Sequence, residues 1–163
     1  MAIVIGNLFD DKELAALREA AEKLDYEDGG KTAGRYARDV KSNLQARKSP
    51  GLEAIFEQVR TRLNANEMVK SVARPKRYAR MLLSRYRGGM TYGTHVDDPV
   101  MNGHRTDLSF TLSLTGADDY AGGELVMEDD IEDRAIKLEA GDIVLYPTSA
   151  LHRVEPVTSG ERV

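Results

Sequence analysis

His95 and Asp97 stand one residue apart, and another histidine, His152, follows much later in the chain. In a strand, a His-x-Asp spacing throws both side chains onto one face, where two ligands reach one ion, and sends Val96 the other way. If His152 arrives on a second strand, two imidazoles and one carboxylate converge, the facial set that suits redox-active iron(II). Three protein ligands leave neighbouring positions free for a chelating 2-oxo acid and dioxygen, whereas a structural zinc site closes with a fourth protein ligand. The chain has no cysteine, so thiolate metal sites, disulfides and cysteine nucleophiles are excluded. Any metal must rest on nitrogen and oxygen.

Arg162 lies beyond His152, across a turn formed by Pro156, Val157, Thr158, Ser159 and Gly160. If these segments make a regular hairpin, the even separation sets Arg162 and His152 on one face. A guanidinium there suits the distal carboxylate of 2-oxoglutarate, which it grips in a bidentate pair. The charges ask for such a cation: iron(II) brings two positive charges, while Asp97 and a 2-oxoglutarate dianion bring three negative ones into a desolvated site. His-x-Asp alone is common by chance. Its weight here comes from the Gly88-Gly89 turn ahead of it, from a second histidine behind the Gly141 to Pro147 segment, and from the arginine that follows.

The elements that position these residues are legible from periodicity. Asp10 caps a helix with Glu13 three residues on, and Leu14, Leu17, Ala21 and Leu24 form its apolar stripe. Ser49-Pro50 opens a second helix that buries Leu52, Ile55, Phe56, Val59 and Leu63. Both helices are expected to pack on a sheet. The polar, glycine-containing stretch Glu27 to Lys48 reads as a long loop or lid. From about Val69 the period becomes two. Leu108, Phe110, Leu112 and Leu114 alternate with Ser109, Thr111 and Ser113, a strand with one core face and one polar face suited to lining a cavity. Further strands are expected over Tyr78 to Tyr86, Glu124 to Met127, Ala135 to Leu138, Asp142 to Tyr146 and Leu151 to Glu155. Many short strands with glycine turns point to a double-sheet jelly roll or a barrel.

The totals bound the rest. With 163 residues, 41% hydrophobic and 31% charged, a single domain is expected. The net charge of −4 argues against nucleic acid as the main partner. No apolar run reaches a membrane span, and the first residues lack the pattern of a signal peptide, so a cytoplasmic location is expected. The cluster Arg74, Lys76, Arg77, Arg80, Arg85 and Arg87 reads as the solvated face of a strand pair, and the acidic run Glu128 to Asp133 as a hairpin loop. Asp98 and Asp142 are assigned to turns, His104 to the surface, and Tyr92 and Tyr146 to the core before the pocket wall. Gly-x-Ser-x-Gly and the phosphate- and dinucleotide-binding glycine loops are absent.

The run from Arg85 through Gly88-Gly89 to His95-Val96-Asp97, then Gly122-Gly123-Glu124-Leu125, Gly141-Asp142, His152 and Arg162, resembles the prolyl-4-hydroxylase-like iron(II)/2-oxoglutarate dioxygenases. Within them, Thr32-Ala33-Gly34 and Val40-Lys41-Ser42-Asn43-Leu44-Gln45 are similar to the bacterial PKHD-type hydroxylases. The resemblance implies an α+β, mainly β chain: a double-stranded β-helix core over 66–163 with a helical support over 1–65. It implies iron(II) on His95, Asp97 and His152, 2-oxoglutarate on Arg162 with a hydrogen bond from Tyr86, succinate and carbon dioxide as products, and L-ascorbate as reductant. An aspartate at 97, where a halogenase has alanine or glycine, implies hydroxylation. The substrate implied is a peptidyl proline or lysine, or a small molecule of iron uptake. Relatives of this type continue past the arginine, so a C-terminally shortened domain with weaker co-substrate binding is expected. Two rivals use the same core: a non-catalytic metal sensor or binding module, and a nucleic-acid dealkylase.

Overall fold

The structure is a computed structural model that describes residues 2–32 and 38–163. Strand β1 (Ile3–Ile5) leads into helix α1 (Asp11–Glu22), then β2 (Tyr26–Asp28), β3 (Lys41–Ser42) and β4 (Leu44–Ala46) precede helices α2 (Pro50–Ala65) and α3 (Glu67–Ala73). The strands that follow are β5 (Ser84–Arg87), β6 (Thr91–His95), β7 (Val100–Met101), β8 (His104–Arg105), β9 (Leu108–Leu112) and β10 (Tyr120–Gly122). The last five are β11 (Leu125–Met127), β12 (Arg134–Ile136), β13 (Ile143–Pro147), β14 (His152–Val154) and β15 (Val157–Arg162).

The helix starts follow from their caps. The Asp10 side chain accepts from the Glu13 amide while Glu13 reaches back to the Asp10 amide, a reciprocal capping box. Ser49 accepts from the Leu52 amide at 3.2 Å with Pro50 in the first turn. Leu14, Leu17 and Ala21 of α1 and Leu52, Ile55, Val59 and Leu63 of α2 are buried, as their spacing demands. Helix α3 was not expected. Asn66 caps it through the Val69 amide at 3.0 Å; only seven residues long, it holds Val69, Val72 and Ala73 at helical spacing and buries Val69 alone, too short a pattern to stand out.

Two five-stranded sheets frame the site. One runs β12-β11-β14-β6-β3, the other β10-β15-β5-β4-β2, and a three-stranded sheet β1-β13-β9 joins the helices. Strand β13 shows why the layers hold. Ile143 and Leu145 face the helical cluster with Leu17, Ile55 and Leu63, whereas Val144 and Tyr146 face a second cluster with Tyr86, Leu125, Val154 and Val157. Alternation along a strand buried on both sides gives each face its own core. This is the jelly roll with helices on one side that the sequence led us to expect.

Three expectations are corrected. The described part of residues 27–48 holds the end of β2 and all of β3 and β4, with Lys41, Asn43 and Gln45 buried, so that part is wall rather than lid. Ala33 and Gly34 of this stretch lie outside the described residues. The strand expected from Tyr78 begins only at Ser84, because residues 74–83 run along the edge of a cavity instead of joining a sheet. Strand β15 does not form a hairpin with β14. It pairs with β5 and β10 in the other five-stranded sheet.

Candidate active site

Register brings the two histidines together. His152 of β14 is the direct cross-strand partner of His95 of β6, and their ring centroids lie 4.2 Å apart. Residues opposite one another in an antiparallel pair present their side chains on one face. Asp97 lies two residues past the end of β6, held by a backbone bond of 3.2 Å from its amide to the Thr148 carbonyl. Its Oδ1 is 3.8 Å from His95 Nε2 and 3.9 Å from His152 Nε2. Val96, between His95 and Asp97, is half exposed.

The two imidazoles are oriented for a metal. His95 Nδ1 lies 2.8 Å from the Gly93 carbonyl oxygen and His152 Nδ1 lies 2.9 Å from that of Ala150. Carbonyls only accept, so each Nδ1 carries the proton and each Nε2 offers its lone pair toward Asp97. Burial, and next the neighbouring His152, hold the His95 imidazole below its ordinary pKa, against the opposing pull of the Gly93 carbonyl and Asp97. A neutral His95 is the form a divalent ion requires. One ligand atom from each of the three residues lies within 4.8 Å of the others. Among the described residues no fourth ligand joins them, so an ion held here keeps open positions.

The opposite sheet supplies the other half. Arg162 on β15 is the register partner of Tyr86 on β5, and its guanidinium carbon lies 5.1 Å from the Tyr86 ring centroid. Arg162 has no ion-pair partner among the described residues. Tyr86 is 4% exposed, and burial raises its pKa, which keeps the phenol a hydrogen-bond donor. Arg162, Tyr86, His95, Asp97 and His152 line one cavity of about 1200 Å³. Both faces of β9 line it, Ser109 and Thr111 together with Leu108 and Phe110, so the expected division into a core face and a cavity face is not kept: Leu108 is exposed.

Several residues outside the expected set enter the site. Tyr92 stacks on His95 with ring centroids 3.6 Å apart, and the Tyr146 ring centroid is 4.9 Å from that of His152, so both tyrosines are packed and wall-forming at once. Lys41 was not anticipated. It is 9% exposed, its ammonium donates to Gln45 Oε1 at 3.1 Å, and it sits 5.0 Å above the Tyr92 ring. One signal did exist: Lys41, Asn43 and Gln45 recur at period two and are the buried face of their segment, an inverted pattern in which polar residues point inward. His104 lies on exposed β8, where its ring contacts Arg77. Asp142 accepts from the Asn7 amide at 2.9 Å.

A jelly roll with an open two-histidine, one-carboxylate cluster and, in the same cavity, an arginine without an ion-pair partner among the described residues defines the class: a non-haem metal oxygenase scaffold. Residues 81–163 match the family model of the 2OG-Fe(II) oxygenase superfamily, and the chain belongs to that family. A PKHD-type hydroxylase of Maricaulis maris is 47% identical over 163 residues, covering all of this chain and 74% of the relative. One from Idiomarina loihiensis is 46% identical over 165 residues, again covering all of this chain and 74% of the relative. The crystal structure of a 2OG-Fe(II) oxygenase family oxidoreductase from Burkholderia pseudomallei superposes with a TM-score of 0.73 at 18% identity, over 99% of this chain and 80% of that one. That likeness speaks for the fold, and the relatives speak for the activity. The chain is a 2-oxoglutarate-dependent hydroxylase. No helix among the described residues is long and apolar enough to cross a membrane.

Proposed function

We propose that His95, Asp97 and His152 hold iron(II), that Arg162 binds 2-oxoglutarate with Tyr86 beside it, and that the chain hydroxylates a peptidyl proline or lysine or a small molecule of iron uptake. The observation that carries the reading is the convergence of His95 Nε2, His152 Nε2 and Asp97 Oδ1, with both Nδ1 atoms anchored on backbone carbonyls. When bound, iron(II) with 2-oxoglutarate and dioxygen supplies the oxidising chemistry, with succinate and carbon dioxide as products and L-ascorbate as the reductant that keeps the centre active.

The protein's own residues set geometry and solvent access. The Gly93 and Ala150 carbonyls fix both imidazole tautomers, and the Thr148 carbonyl fixes the backbone of Asp97. In this reading Arg162 supplies the positive charge that a co-substrate carboxylate needs in a desolvated place, with the Tyr86 ring beside its guanidinium and the phenol as the proposed hydrogen-bond donor. Tyr92 and Tyr146 pack against the imidazoles and keep bulk water from the two histidines. The location proposed is the cytoplasm.

Anaerobic addition of iron(II) and 2-oxoglutarate tests the assignment. A visible metal-to-ligand charge-transfer band is expected in the wild type, together with succinate release in air, and both are expected to vanish in Asp97→Ala. A metal sensor using the same ligands gives no band. Succinate release undiminished in Asp97→Ala would overturn the metal assignment.

A further inference from the structure

Lys41 stands in the cavity as a buried cation. Among the described residues no carboxylate lies within ion-pair distance of its ammonium; its one polar contact is the neutral Gln45 amide. Burying an ammonium beside an amide is costly unless an anion completes the site. The charges proposed for the centre leave no such anion over. Iron(II) and Arg162 together balance Asp97 and the 2-oxoglutarate dianion, so the positive charge of Lys41 is surplus.

The mouth of the same cavity repeats the pattern. Arg74, Lys76, Arg77 and Arg80 line it and are exposed. None of the four reaches a carboxylate among the described residues; Arg77 contacts only the His104 ring. Elsewhere the basic residues are mostly neutralised: Arg18, Lys23, Arg60, Lys70, Arg85 and Arg153 each pair with a carboxylate. The acids near the mouth do not cancel the excess, because Asp107 is engaged by Arg105, which leaves Asp98. In a chain of net charge −4, Lys41, Arg74, Lys76, Arg77 and Arg80 line one cavity without a carboxylate partner among the described residues. The segment read from sequence as a solvated strand face is a cationic rim.

We propose that the substrate of this hydroxylase carries carboxylates, one of which Lys41 binds inside the cavity while Arg77 and Arg80 take others at the mouth. The inference rests on the iron and 2-oxoglutarate reading above and narrows the substrate to an anion. An acidic peptide and a free polycarboxylate share the chemistry. A surface ion pair is worth little in water, but a carboxylate meeting a desolvated ammonium is a stronger, charge-assisted bond.

The test uses anaerobic protein loaded with iron(II) and 2-oxoglutarate. Fluorescence anisotropy measures binding of a fluorescein-labelled Glu-Pro-Glu peptide, its Gln-Pro-Gln twin, and a labelled single-stranded oligonucleotide, with citrate as competitor. At least tenfold tighter binding of the acidic peptide than of its twin is expected, lost in Lys41→Met and retained in Lys41→Arg. Arg80→Gln, at an exposed position that does not bear on folding, is expected to weaken the acidic peptide about threefold and leave the twin unchanged. Displacement of the acidic peptide by citrate at lower concentration than the unlabelled acidic peptide assigns the free polycarboxylate as the source; the reverse order assigns the peptide.

Equal affinity for the two peptides, or an unchanged preference in both Lys41→Met and Arg80→Gln, overturns the proposal. So does tighter binding of the oligonucleotide than of either carboxylate probe. The charge-transfer band, followed in a parallel 2-oxoglutarate titration, separates the two readings. A wild type without a band loses the metal assignment, while its preference among the probes still reports on Lys41. A Lys41→Met protein whose 2-oxoglutarate affinity falls as far as its acidic-peptide affinity makes Lys41 a co-substrate ligand and sinks the substrate role.

Discussion

Of the cations that line this cavity, Lys41 and Arg162 are at least partly buried, and their surroundings suit them to different work. Arg162 is only partly buried, and its proposed contribution is a planar fork for a carboxylate. Replacing Arg162 with alanine is expected to weaken 2-oxoglutarate by about 10- to 100-fold, the worth of one charge-assisted pair, with Arg162→Lys recovering part. Titration of the charge-transfer band measures this, and an unchanged dissociation constant would move the carboxylate site elsewhere. Lys41 is tunable. Burial and then Arg80 push its pKa from 10.5 down to about 8, while Asp97 and Asp28 pull it back up. Between those values the unfolded chain holds a proton that the folded one has released, so this lysine contributes stability that grows as pH rises through the window. Anion binding has the opposite sign, because it needs the ammonium. Affinity for the acidic peptide is expected to drop about tenfold from pH 7 to 9.5 in the wild type and to stay level in Lys41→Arg, whose guanidinium does not titrate there. Among the described residues the groups facing Lys41 are Arg80, Asp97, Asp28, His95 and the Tyr92 ring; burial raises Tyr92, which stays neutral across this range. The same fall in Lys41→Arg would trace the titration to another group.

Strands deliver these side chains through register, so the elements are sensitive at places far from the chemistry. Gly160 sits in β15 opposite Tyr120, with φ +71, and a Cβ there would lie 2.2 Å from the Asp119 carbonyl oxygen. Both the left-handed backbone and the close approach require glycine. Gly160→Ala is expected to cost about 2–3 kcal/mol, the combined scale of a strained backbone and a displaced neighbour. Because Arg162 lies two residues on, 2-oxoglutarate affinity should fall with it. Thermal unfolding and band titration read the two effects, and a stable variant with normal affinity would mean that β10 can give way. The register that matters here was only partly legible in the sequence. His95, Asp97 and His152 were found by residue type and spacing, although β6 stops at His95 and Asp97 converges through the Thr148 backbone bond rather than strand geometry. The position of Arg162 in the cavity was anticipated for a reason that does not hold, since a hairpin with β14 would have kept it in the sheet of the histidines. Spacing along the chain does not say which sheet a strand joins. Partners distant in sequence decide it: β5 and β10 for β15. The inward face of residues 41–45 was hidden for a related reason. Polar residues at period two normally face water, and only the cavity behind them reverses that reading.

At the scale of the whole molecule the site is a clasp between two sheets. His95 and His152 belong to strands already hydrogen-bonded to one another, so an ion on those residues ties together neighbours within one sheet. Arg162 and Tyr86 belong to the other five-stranded sheet, and the apolar cluster of Tyr86, Tyr146, Val154 and Val157 fills the space between. A ligand that reaches from the ion to Arg162 adds a polar bridge between layers that this apolar cluster and the Lys41–Gln45 hydrogen bond already join. Ligand that binds only the folded state at a hundred times its dissociation constant adds about 2.7 kcal/mol, which for a domain of this size is roughly 5–10 °C in Tm. Metal alone is expected to give a smaller rise than metal with 2-oxoglutarate, and 2-oxoglutarate without metal to give almost none, since it then has only the arginine to hold it. Asp97→Ala should abolish both increments, whereas Arg162→Ala should keep the metal increment and lose the second. Anaerobic thermal unfolding with iron(II), with and without chelator and co-substrate, resolves the four cases. If 2-oxoglutarate raised Tm equally in chelated protein, the two half-sites would be independent and the jelly roll would not be closed by its own co-substrate.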